Sequence, residues 1–333
     1  MQAVVLVGGF GTRLRPLTST IPKPMLPVGH RPIIEHIVER LGSGGVIEVV
    51  LALGFKPEPF IEAFPDGMCG NVAVRYAVEP EPRGTAGAIR FAAELAGIGD
   101  TFVVMNGDVL TDLDVGALVA FHRSRGAEGT IHLTPVEDTS AFGVVTTDGE
   151  GRVLAFTEKP PRHEAPTNLV NGGTYVLEPS VLERIDADEM VSIERVVFPA
   201  MVADRTLFAM PADGYWLDTG TPQQYLQANL DLIDGRRTIG TPVDAIHATA
   251  RVAPDAIVER SVIGAGASVG ARATVRGSLL LPGAVIDAGA KVVQSIVSGR
   301  VGADSTIVDV VVGATGVVER GVSLEHVRIP EVE

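Results

Sequence analysis

The sequence has 333 residues, of which 46% are apolar and 20% charged, and its formal net charge is −14. This composition supports a packed core and excludes a globally disordered chain, and the negative charge argues against a broad basic surface for nucleic acid. The single cysteine, Cys69, excludes an internal disulfide and a cysteine-rich zinc site. No run of about 18 apolar residues occurs, and the apolar run at the start is too short for a signal peptide. We therefore expect a soluble, cytoplasmic protein with no nucleic-acid or membrane partner.

The first two-thirds of the chain alternates strand-like and helix-like segments. Short apolar runs that end near glycines are typical of buried parallel strands, and the segments between them repeat apolar residues at helical spacing. The pattern predicts an α/β domain with a Rossmann-like, mainly parallel sheet, whose ligand crevice lies beyond the carboxyl ends of the strands. The predicted strands are 3–7, 46–53, 72–78 and 101–105, and the predicted helices are 32–41, 85–96 and 222–233.

The helical pattern stops near residue 236, and a six-residue repeat replaces it. Small residues and glycines separate branched apolar residues, a pattern typical of a left-handed β-helix. We predict a catalytic domain at 1–235, a linker at 236–246 and a β-helix at 247–330. Flat coil faces are good packing surfaces, so we expect a homo-oligomer formed through the β-helix. The first repeat positions are Ile257, Ile263, Val269, Val275 and Leu281; a second register follows at Leu280, Ile286 and Val292, and a third at Val301 and Ile307.

The loop after the first predicted strand is rich in glycine and is followed by two cations. Gly8, Gly9 and Gly11 allow backbone N–H groups to approach a phosphate closely, and Arg13 and Lys23 can bring positive charge to the same anion. The loop lacks the Gly-Lys-Ser/Thr ending of a P-loop and the third glycine of the dinucleotide fingerprint. It therefore predicts a phosphate site of another kind.

The pattern Gly-Gly-x-Gly-Thr-Arg-Leu-x-Pro, followed by Pro-Lys-Pro, resembles that of the sugar nucleotidyltransferases. Many members of that family also carry a C-terminal β-helix. The resemblance implies transfer of a nucleoside monophosphate from a nucleoside triphosphate to a sugar 1-phosphate, with release of pyrophosphate. Later motifs that match the family in order lie at 79–88, 106–108, 156–160, 171–175 and 216–222.

The resemblance also implies roles for individual residues. Arg13 would hold the triphosphate and the departing pyrophosphate, and Lys23 would contact the attacked phosphate. Asp108 and Asp218 would hold Mg²⁺, which prefers one or two carboxylates completed by phosphate oxygens and water. The nucleotide-binding residues would be Leu6, Gly8, Gly9, Gly11, Thr12, Glu79, Gly84 and Thr85, and the sugar-phosphate residues would be Gly143, Glu158, Lys159 and Asn171.

This chemistry needs no general base, because the attacking phosphate oxygen is already anionic at neutral pH. Catalysis then depends on positioning and on neutralising charge. Structural roles stay open for several of these residues. Asp108 also suits a turn, Asp218 a helix cap and Asn171-Gly172 a turn, and Glu158 with Lys159 also suits a surface pair.

The sequence indicates the substrates less clearly than the reaction. The Val-Gly-Gly form of the first loop and its Leu-Arg-Pro-Leu-Thr continuation look most like family members that use GTP and mannose 1-phosphate. Glu79 can accept from the donor groups of a guanine edge. One alternative is glucose 1-phosphate, or another sugar or cyclitol phosphate, with ATP, dTTP or UTP. Another is a non-catalytic regulatory subunit of a pyrophosphorylase complex, which the retained charged residues disfavour.

Overall fold

The computed structural model describes residues 1–9, 11–54, 57–187, 189–237 and 243–330. The helices are α1 Ile33–Ser43, α2 Glu58–Ala63, α3 Gly84–Ala96, α4 Val115–Arg125, α5 Phe198–Ala203 and α6 Pro222–Ile233. The strands before the repeat are β1 Gln2–Leu6, β2 Pro27–Val28, β3 Arg31–Pro32, β4 Glu48–Leu53, β5 Met68–Cys69, β6 Val72–Val78, β7 Phe102–Asn106, β8 Val109–Thr111, β9 Gly129–Pro135, β10 Gly143–Thr147, β11 Val153–Glu158, β12 Leu169–Leu177, β13 Leu207–Pro211 and β14 Trp216–Asp218.

The described chain forms two compact units. The sheet unit contains Met1–Gly9 and Ile37–Trp216, and the β-helix unit contains Phe10–His36 and Leu217–Glu333. The glycine loop therefore passes from one unit to the other within a few residues. The predicted domain boundaries at 235 and 247 stay a prediction, and part of the predicted linker, 238–242, lies outside the described residues.

A ten-stranded sheet forms the centre of the sheet unit, in the order β11-β10-β12-β7-β1-β4-β6-β5, with β9 and β13 joined through β12. β1 lies between β4 and β7 and is parallel to both, and β4 is parallel to β6. β12 is antiparallel to β7, which makes the sheet mixed. Val4, Val50 and Val104 of the parallel strands are fully buried in one core, as apolar strands covered on both faces should be.

Helix α3 covers part of this sheet and presents small and branched apolar residues to it. Ala86, Ile89 and Ala93 are buried in the same core. The helix ends at Gly97, which adopts the left-handed conformation with φ 67° and donates to the carbonyl groups of the last turn. This glycine cap is a common way of satisfying the free carbonyls at a helix end.

The repeat folds into five coils with three flat sides, each side a five-stranded parallel sheet. Its strands are β15 Arg251–Val252, β16 Ile257–Glu259, β17 Val262–Ile263, β18 Ser268–Val269, β19 Thr274–Arg276, β20 Leu279–Leu280, β21 Val285–Ile286, β22 Lys291–Val293, β23 Ile296–Val297, β24 Arg300–Val301, β25 Thr306–Val308, β26 Val311–Val312, β27 Val317–Val318, β28 Ser323–Glu325 and β29 Arg328–Ile329. The prediction of a Rossmann-like α/β domain followed by a left-handed β-helix is confirmed.

The six-residue period holds on two sides of the first coils, but the third side is shorter. Val269 pairs with Ile286, 17 positions later, whereas Ile286 pairs with Val301, only 15 positions later. Leu280, rather than Leu281, belongs to the inner core, and Ile257 is 45% exposed. Two of the predicted inward positions therefore lie outside the inner row. The inner core residues include Ile263, Val269, Val275, Leu280, Ile286, Val292, Val297, Val301, Ile307, Val312 and Val318.

A buried ladder of serines marks one corner of the β-helix. The amide of Ser278 donates to Oγ of Ser261 at 3.0 Å, and the amide of Ser295 donates to Oγ of Ser278 at 3.1 Å. These bonds satisfy backbone donors where the chain leaves the sheet, which a buried corner requires.

Candidate active site

The end of β1 and the turn after β7 lie side by side in the sheet unit. Leu6 is in register with Asn106. The amide of Gly107 donates to the carbonyl oxygen of Leu6 at 2.8 Å. A Cβ at Gly107 would stand 2.7 Å from that oxygen, so only glycine fits here. The structure thus places half-buried Asp108 next to the start of the glycine loop.

The first part of the glycine loop is bare backbone. Gly8 and Gly9 are exposed, and no atom lies within 4 Å of the position that a Cβ would take at either residue. Gly9 has φ +121°, a conformation that other residues rarely adopt. Exposed amides without side chains are what a phosphate-binding loop needs.

Glu79 is a buried carboxylate at the start of the loop between β6 and α3. It is 8% exposed, and its Oε2 accepts from the amide of Arg83 at 3.1 Å. Burial raises the pKa of the Glu79 carboxyl, and the bond from Arg83 opposes part of that rise. The carboxylate is therefore held in an environment where a donor from a ligand would be favourable.

The Gly84-Thr85 turn is fastened to the segment that precedes α5. Gly84 has φ +72°, and a Cβ there would stand 2.5 Å from the carbonyl oxygen of Val191. The Thr85 hydroxyl donates to Glu194 at 2.8 Å and accepts from the amide of Ile193 at 2.9 Å. The protein itself uses this hydroxyl as donor and as acceptor, so its contact with a nucleotide stays a prediction.

Gly143, Glu158 and Lys159 meet at the edge formed by β10 and β11. Gly143 is in register with Glu158, and a Cβ on Gly143 would stand 2.6 Å from the Phe156 ring and 3.0 Å from the Glu158 carboxylate. Lys159 has φ 50°, and its amide donates to the carbonyl of Phe142 at 3.0 Å. Its Nζ lies 3.5 Å from Glu158 Oε1, and 57% of its side chain is exposed. The lysine therefore presents an accessible charge, in a backbone conformation that is unusual for a non-glycine residue.

Asn171 opens a bulge in β12. Asn171 is in register with Leu133 of β9, but Tyr175, four residues on, is in register with Ile131. The Asn171 side chain accepts from the amide of Gly173 at 2.9 Å and donates to the Tyr175 hydroxyl at 2.9 Å. Both ends of the amide are thus oriented by the bulge, and each keeps capacity for one further hydrogen bond.

Two aromatic rings pack on the bulge. His132, 2% exposed, lies against Gly172, where a Cβ would stand 2.8 Å from the ring carbon Cε1. Burial lowers the pKa of His132 to about 4, so the ring is neutral near neutral pH. Trp216 donates through Nε1 to the carbonyl of Gly172 at 2.9 Å, and its ring packs edge-on against Phe142. The bulge is therefore held by side chains from two other strands, β9 and β14.

The second part of the glycine loop lies in the β-helix unit. Gly11 has φ 57° and precedes a one-turn 3₁₀ helix, Thr12–Leu14, on which Thr12 and Arg13 are exposed. Thr18 donates to the carbonyl of Gly11 at 2.7 Å. A Cβ on Gly11 would stand 3.3 Å from Cβ of Lys23, which lies at the start of another 3₁₀ turn, Lys23–Met25. The turn that carries Lys23 thus lies beside the glycine that precedes the turn of Arg13.

Arg13, Lys23 and Asp218 converge in the same unit. Lys23 is 8% exposed, and its Nζ lies 3.6 Å from Oδ1 of Asp218. A Cβ on Gly220 would stand 2.6 Å from Nη2 of Arg13 and 2.9 Å from Oδ1 of Asp218. Gly220 therefore leaves room for both charged groups. Asp218 does not cap α6, because the side chain of Thr221 performs that role.

The predicted site residues fall into two groups. Gly11, Thr12, Arg13, Lys23 and Asp218 lie in the β-helix unit. The sheet unit carries Leu6, Gly8, Gly9, Glu79, Gly84, Thr85, Asp108, Gly143, Glu158, Lys159 and Asn171.

Among the described residues, no group of three or more His, Cys, Asp or Glu side chains could hold a metal ion.

Several residues that the sequence did not mark support the predicted ones. Glu194 orients Thr85, Tyr175 orients Asn171, and His132 backs the bulge. Trp216 and Tyr175 lie inside the family motifs at 216–222 and 171–175, which is the only signal that the sequence offers for them. The sequence has no local signal for Glu194 and His132, because each acts on a residue of another segment.

The fold and these loops define a nucleotide-dependent transferase, with a bare glycine loop, two adjacent cations and carboxylates near strand ends. The chain belongs to the nucleotidyl transferase family, whose sequence model matches residues 2–235. It is an enzyme of the nucleotidyltransferase class, its substrates are a nucleotide and a sugar phosphate, and the family generally uses a divalent metal. No described helix has both the length and the apolar character needed to cross a membrane.

Two relatives illustrate the similarity in sequence. The mannose-1-phosphate guanylyltransferase of Mycobacterium tuberculosis is 40% identical over 301 residues, which cover 87% of this chain and 82% of that protein. The mannose-1-phosphate guanyltransferase of Schizosaccharomyces pombe is 46% identical over 230 residues, which cover 68% of this chain and 62% of that protein.

Solved structures share the fold. HddC from Yersinia pseudotuberculosis matches with 29% identity and a TM-score of 0.59, covering 68% of this chain and 97% of HddC. The same protein complexed with GMP-PN matches equally well. A structure from Bacillus anthracis matches with 24% identity and a TM-score of 0.63, covering 72% of this chain and 97% of that protein. At this identity the match shows the fold alone.

Proposed function

We propose that this protein transfers GMP from GTP to mannose 1-phosphate, giving GDP-mannose and pyrophosphate. The observation that carries the proposal is the 40% and 46% identity to proteins named as mannose-1-phosphate guanylyltransferases, over most of this chain. The HddC complex with GMP-PN, a guanine nucleotide, supports the choice of base.

The reaction needs positioning and neutralisation of charge. A phosphate oxygen of mannose 1-phosphate attacks the α-phosphorus of GTP, the bond from that phosphorus to the bridging oxygen breaks, and pyrophosphate leaves with the electron pair. Arg13 holds the triphosphate and the departing pyrophosphate. Lys23 contacts the attacked phosphate, and its burial strengthens this contact because little water screens its charge.

Asp108 and Asp218 are the residues that would hold Mg²⁺. Their carboxylate oxygens are the hard donors that this ion prefers, and a pair of carboxylates leaves coordination positions for water and phosphate. Asp218 also lies close to a cation, with its Oδ1 3.6 Å from Nζ of Lys23. Mg²⁺, when bound, neutralises negative charge on the phosphate oxygens.

The sheet unit would recognise the base and the sugar. Glu79 accepts from the guanine edge, and Gly84 and Thr85 shape the loop beside it. Asn171 donates to or accepts from sugar hydroxyls, Glu158 accepts from them, and Lys159 contacts the sugar phosphate through its accessible ammonium group. The remaining nucleotide contacts come from backbone groups of Leu6, Gly8, Gly9, Gly11 and Thr12, and Gly143 lets the sugar approach the backbone.

The test is release of pyrophosphate across a grid of GTP, ATP, dTTP and UTP with mannose, glucose and other sugar or cyclitol 1-phosphates, with Mg²⁺ and with chelator. We expect the highest kcat/KM for GTP with mannose 1-phosphate, and loss of activity with chelator. A preference for another pair would overturn the substrate assignment and keep the reaction. No release with any pair would favour a non-catalytic subunit.

We also propose that the protein acts in the cytoplasm as a homo-oligomer formed through its β-helix. The two faces of the β-helix that carry exposed residues, including Ile257 and Val317, offer apolar contacts. Sedimentation of the full chain at several concentrations measures the oligomeric state, and a monomer at all concentrations would refute this part.

A further inference from the structure

One of the three sides of the β-helix is covered on its outside. In a strand, adjacent residues point to opposite faces, so each two-residue strand of this side has one inward and one outward residue. The inward row belongs to the inner core. The outward row is nevertheless buried, with Val262 0%, Leu279 1%, Ile296 2% and Val311 7% exposed. Other residues of the chain must therefore pack on this side.

Two segments of the β-helix unit contact this side, at its two ends. Helix α6 packs on β17, in the first coil. At the far end, the segment after the glycine loop reaches the last two coils. A Cβ on Gly313 would stand 2.8 Å from Cβ and 2.9 Å from Cγ of Pro16. Arg328 donates through Nη1 to the carbonyl of Arg15 at 3.1 Å.

These last contacts lie close in the chain to Arg13. The amide of Arg15 donates to the carbonyl of Thr12 at 3.2 Å, which closes the single turn that carries Arg13. Pro16, at its end, is buried. A displacement of Arg15 would therefore open the turn and move the Arg13 backbone. The guanidinium of Arg13 lies in the space that Gly220 leaves open, and the β-helix lies behind its backbone.

The β-helix is an addition to the family's domain. The family model ends at residue 235, and HddC, matched over 97% of its length, covers 68% of this chain. Its coils are therefore not needed to form the nucleotidyltransferase fold. A family member without a β-helix therefore cannot make these contacts from the coils to the segment after the glycine loop.

We propose that the last two coils of the β-helix position the nucleotide loop, with Arg328 and Gly313 holding Arg15 and Pro16 so that Arg13 faces the triphosphate. Arg328 is a positioning residue, since it acts through the Arg15 carbonyl. The inference rests on the proposed function only for the identity of the nucleotide.

The experiment compares Arg328→Met with Arg320→Met in the full-length protein. Methionine keeps much of the apolar stem of arginine and removes its donors. Arg320 lies in the same coil, with 78% of its side chain exposed, and pairs with Asp304 at 3.0 Å. We expect Arg328→Met to raise KM for GTP about fivefold to tenfold, as loss of one charge-assisted hydrogen bond does. KM for mannose 1-phosphate and Tm should match those of Arg320→Met.

A second readout does not depend on the substrate. Hydrogen exchange of the peptide that contains residues 11–19 should be faster in Arg328→Met than in Arg320→Met, because the turn loses its anchor. Gly313→Ala, which forces Pro16 to move, should give the same two changes.

Equal exchange rates and equal KM for GTP in the two arginine variants would overturn the proposal. So would faster exchange with an unchanged KM, since the coils would then order the loop without positioning Arg13. If the wild-type protein used another nucleotide, KM for that nucleotide would be measured, so an error in the proposed substrates would not be mistaken for an error here.

Discussion

Gly172→Ala tests whether the bulge in β12 positions Asn171. A methyl group at residue 172 would stand 2.8 Å from Cε1 and 3.0 Å from the carbonyl oxygen of His132. Unstrained carbon contacts lie at about 3.5–4.0 Å, so the bulge or the His132 ring must move. His132 is buried and cannot swing into solvent. Movement of the bulge displaces Asn171, whose amide is bonded to Gly173 within it.

The size of the effect follows from this overlap. Overpacking of a rigid core costs about 1–3 kcal/mol, and we expect Gly172→Ala to lower the free energy of unfolding by that amount. A shift of a binding group by about 1 Å can reduce catalysis roughly a hundredfold. We therefore expect kcat/KM for mannose 1-phosphate to fall by about tenfold to a hundredfold, while KM for GTP changes little.

The assay is urea unfolding together with initial rates of pyrophosphate release. Gly149→Ala is a matched control, because no atom lies within 4 Å of a Cβ at Gly149. His132→Ala removes the ring but keeps the carbonyl oxygen. Gly172→Ala should therefore be less destabilising in the His132→Ala background, with a coupling of about 0.5–3 kcal/mol.

Equal behaviour of Gly172→Ala and Gly149→Ala in both assays would refute the reasoning. If Gly172→Ala lowers stability but leaves kcat/KM for mannose 1-phosphate unchanged, the bulge does not position Asn171.

Three further predictions concern charge. Burial lowers the pKa of His132 to about 4, below the ordinary 6.5, so the unfolded chain binds its proton more strongly. The free energy of unfolding should fall by up to about 3 kcal/mol as the pH drops from 6.5 to 4. His132→Gln should flatten this dependence on pH, while His163→Gln, at an exposed position, should leave it unchanged. An equal slope in both variants would contradict the burial argument. Lys23→Ala and Asp108→Ala should each lower turnover at least about a hundredfold, as loss of a preorganised charge commonly does. Near-wild-type rates would remove them from the site. Glu79→Gln should raise KM for GTP and narrow the preference for GTP over ATP, measured in the same substrate grid, and an unchanged preference would show that Glu79 does not read the base.

The parallel centre of the sheet could be predicted because β1, β4 and β7 are short apolar runs that end near glycines and β6 alternates apolar and polar residues. The prediction placed a strand at 72–78, and β6 is Val72–Val78; α6, predicted at 222–233, is Pro222–Ile233. The antiparallel additions could not be located in the same way. β11, for example, exposes Leu154 by 58%, so its apolar pattern does not mark a buried face.

The β-helix shows a different limit. A six-residue period describes one flat side, but closure of a three-sided coil also depends on the corners. Arg260, Gly277 and Gln294 occupy equivalent corners with positive φ, at intervals of 17 residues. The short third side moves the inward position from Leu281 to Leu280, where the second register of the sequence begins. The period shows this change of register but not the corner conformation behind it, because packing between coils sets that conformation.

At the site, motifs identified charged residues but not their surroundings. Sequence singled out Asn171 for sugar binding, yet the amide is also bonded to Tyr175 and Gly173. That arrangement depends on two extra residues in β12 opposite β9. Similarly, nothing near His132 in the chain indicates that it lies behind Gly172, since the contact is made across the sheet.

The number of coils has an evolutionary consequence. Arg260 in the first coil bonds to Asp234 just after α6, and Arg328 in the fifth bonds to the carbonyl of Arg15. Parallel strands are about 4.8 Å apart, so four spacings separate these anchors by roughly 19 Å. Duplication or deletion of a whole repeat, the easiest change for a solenoid gene, would shift one anchor by a full strand spacing. Within this lineage, repeat number should be inherited as strictly as a catalytic residue, while corner sequences drift.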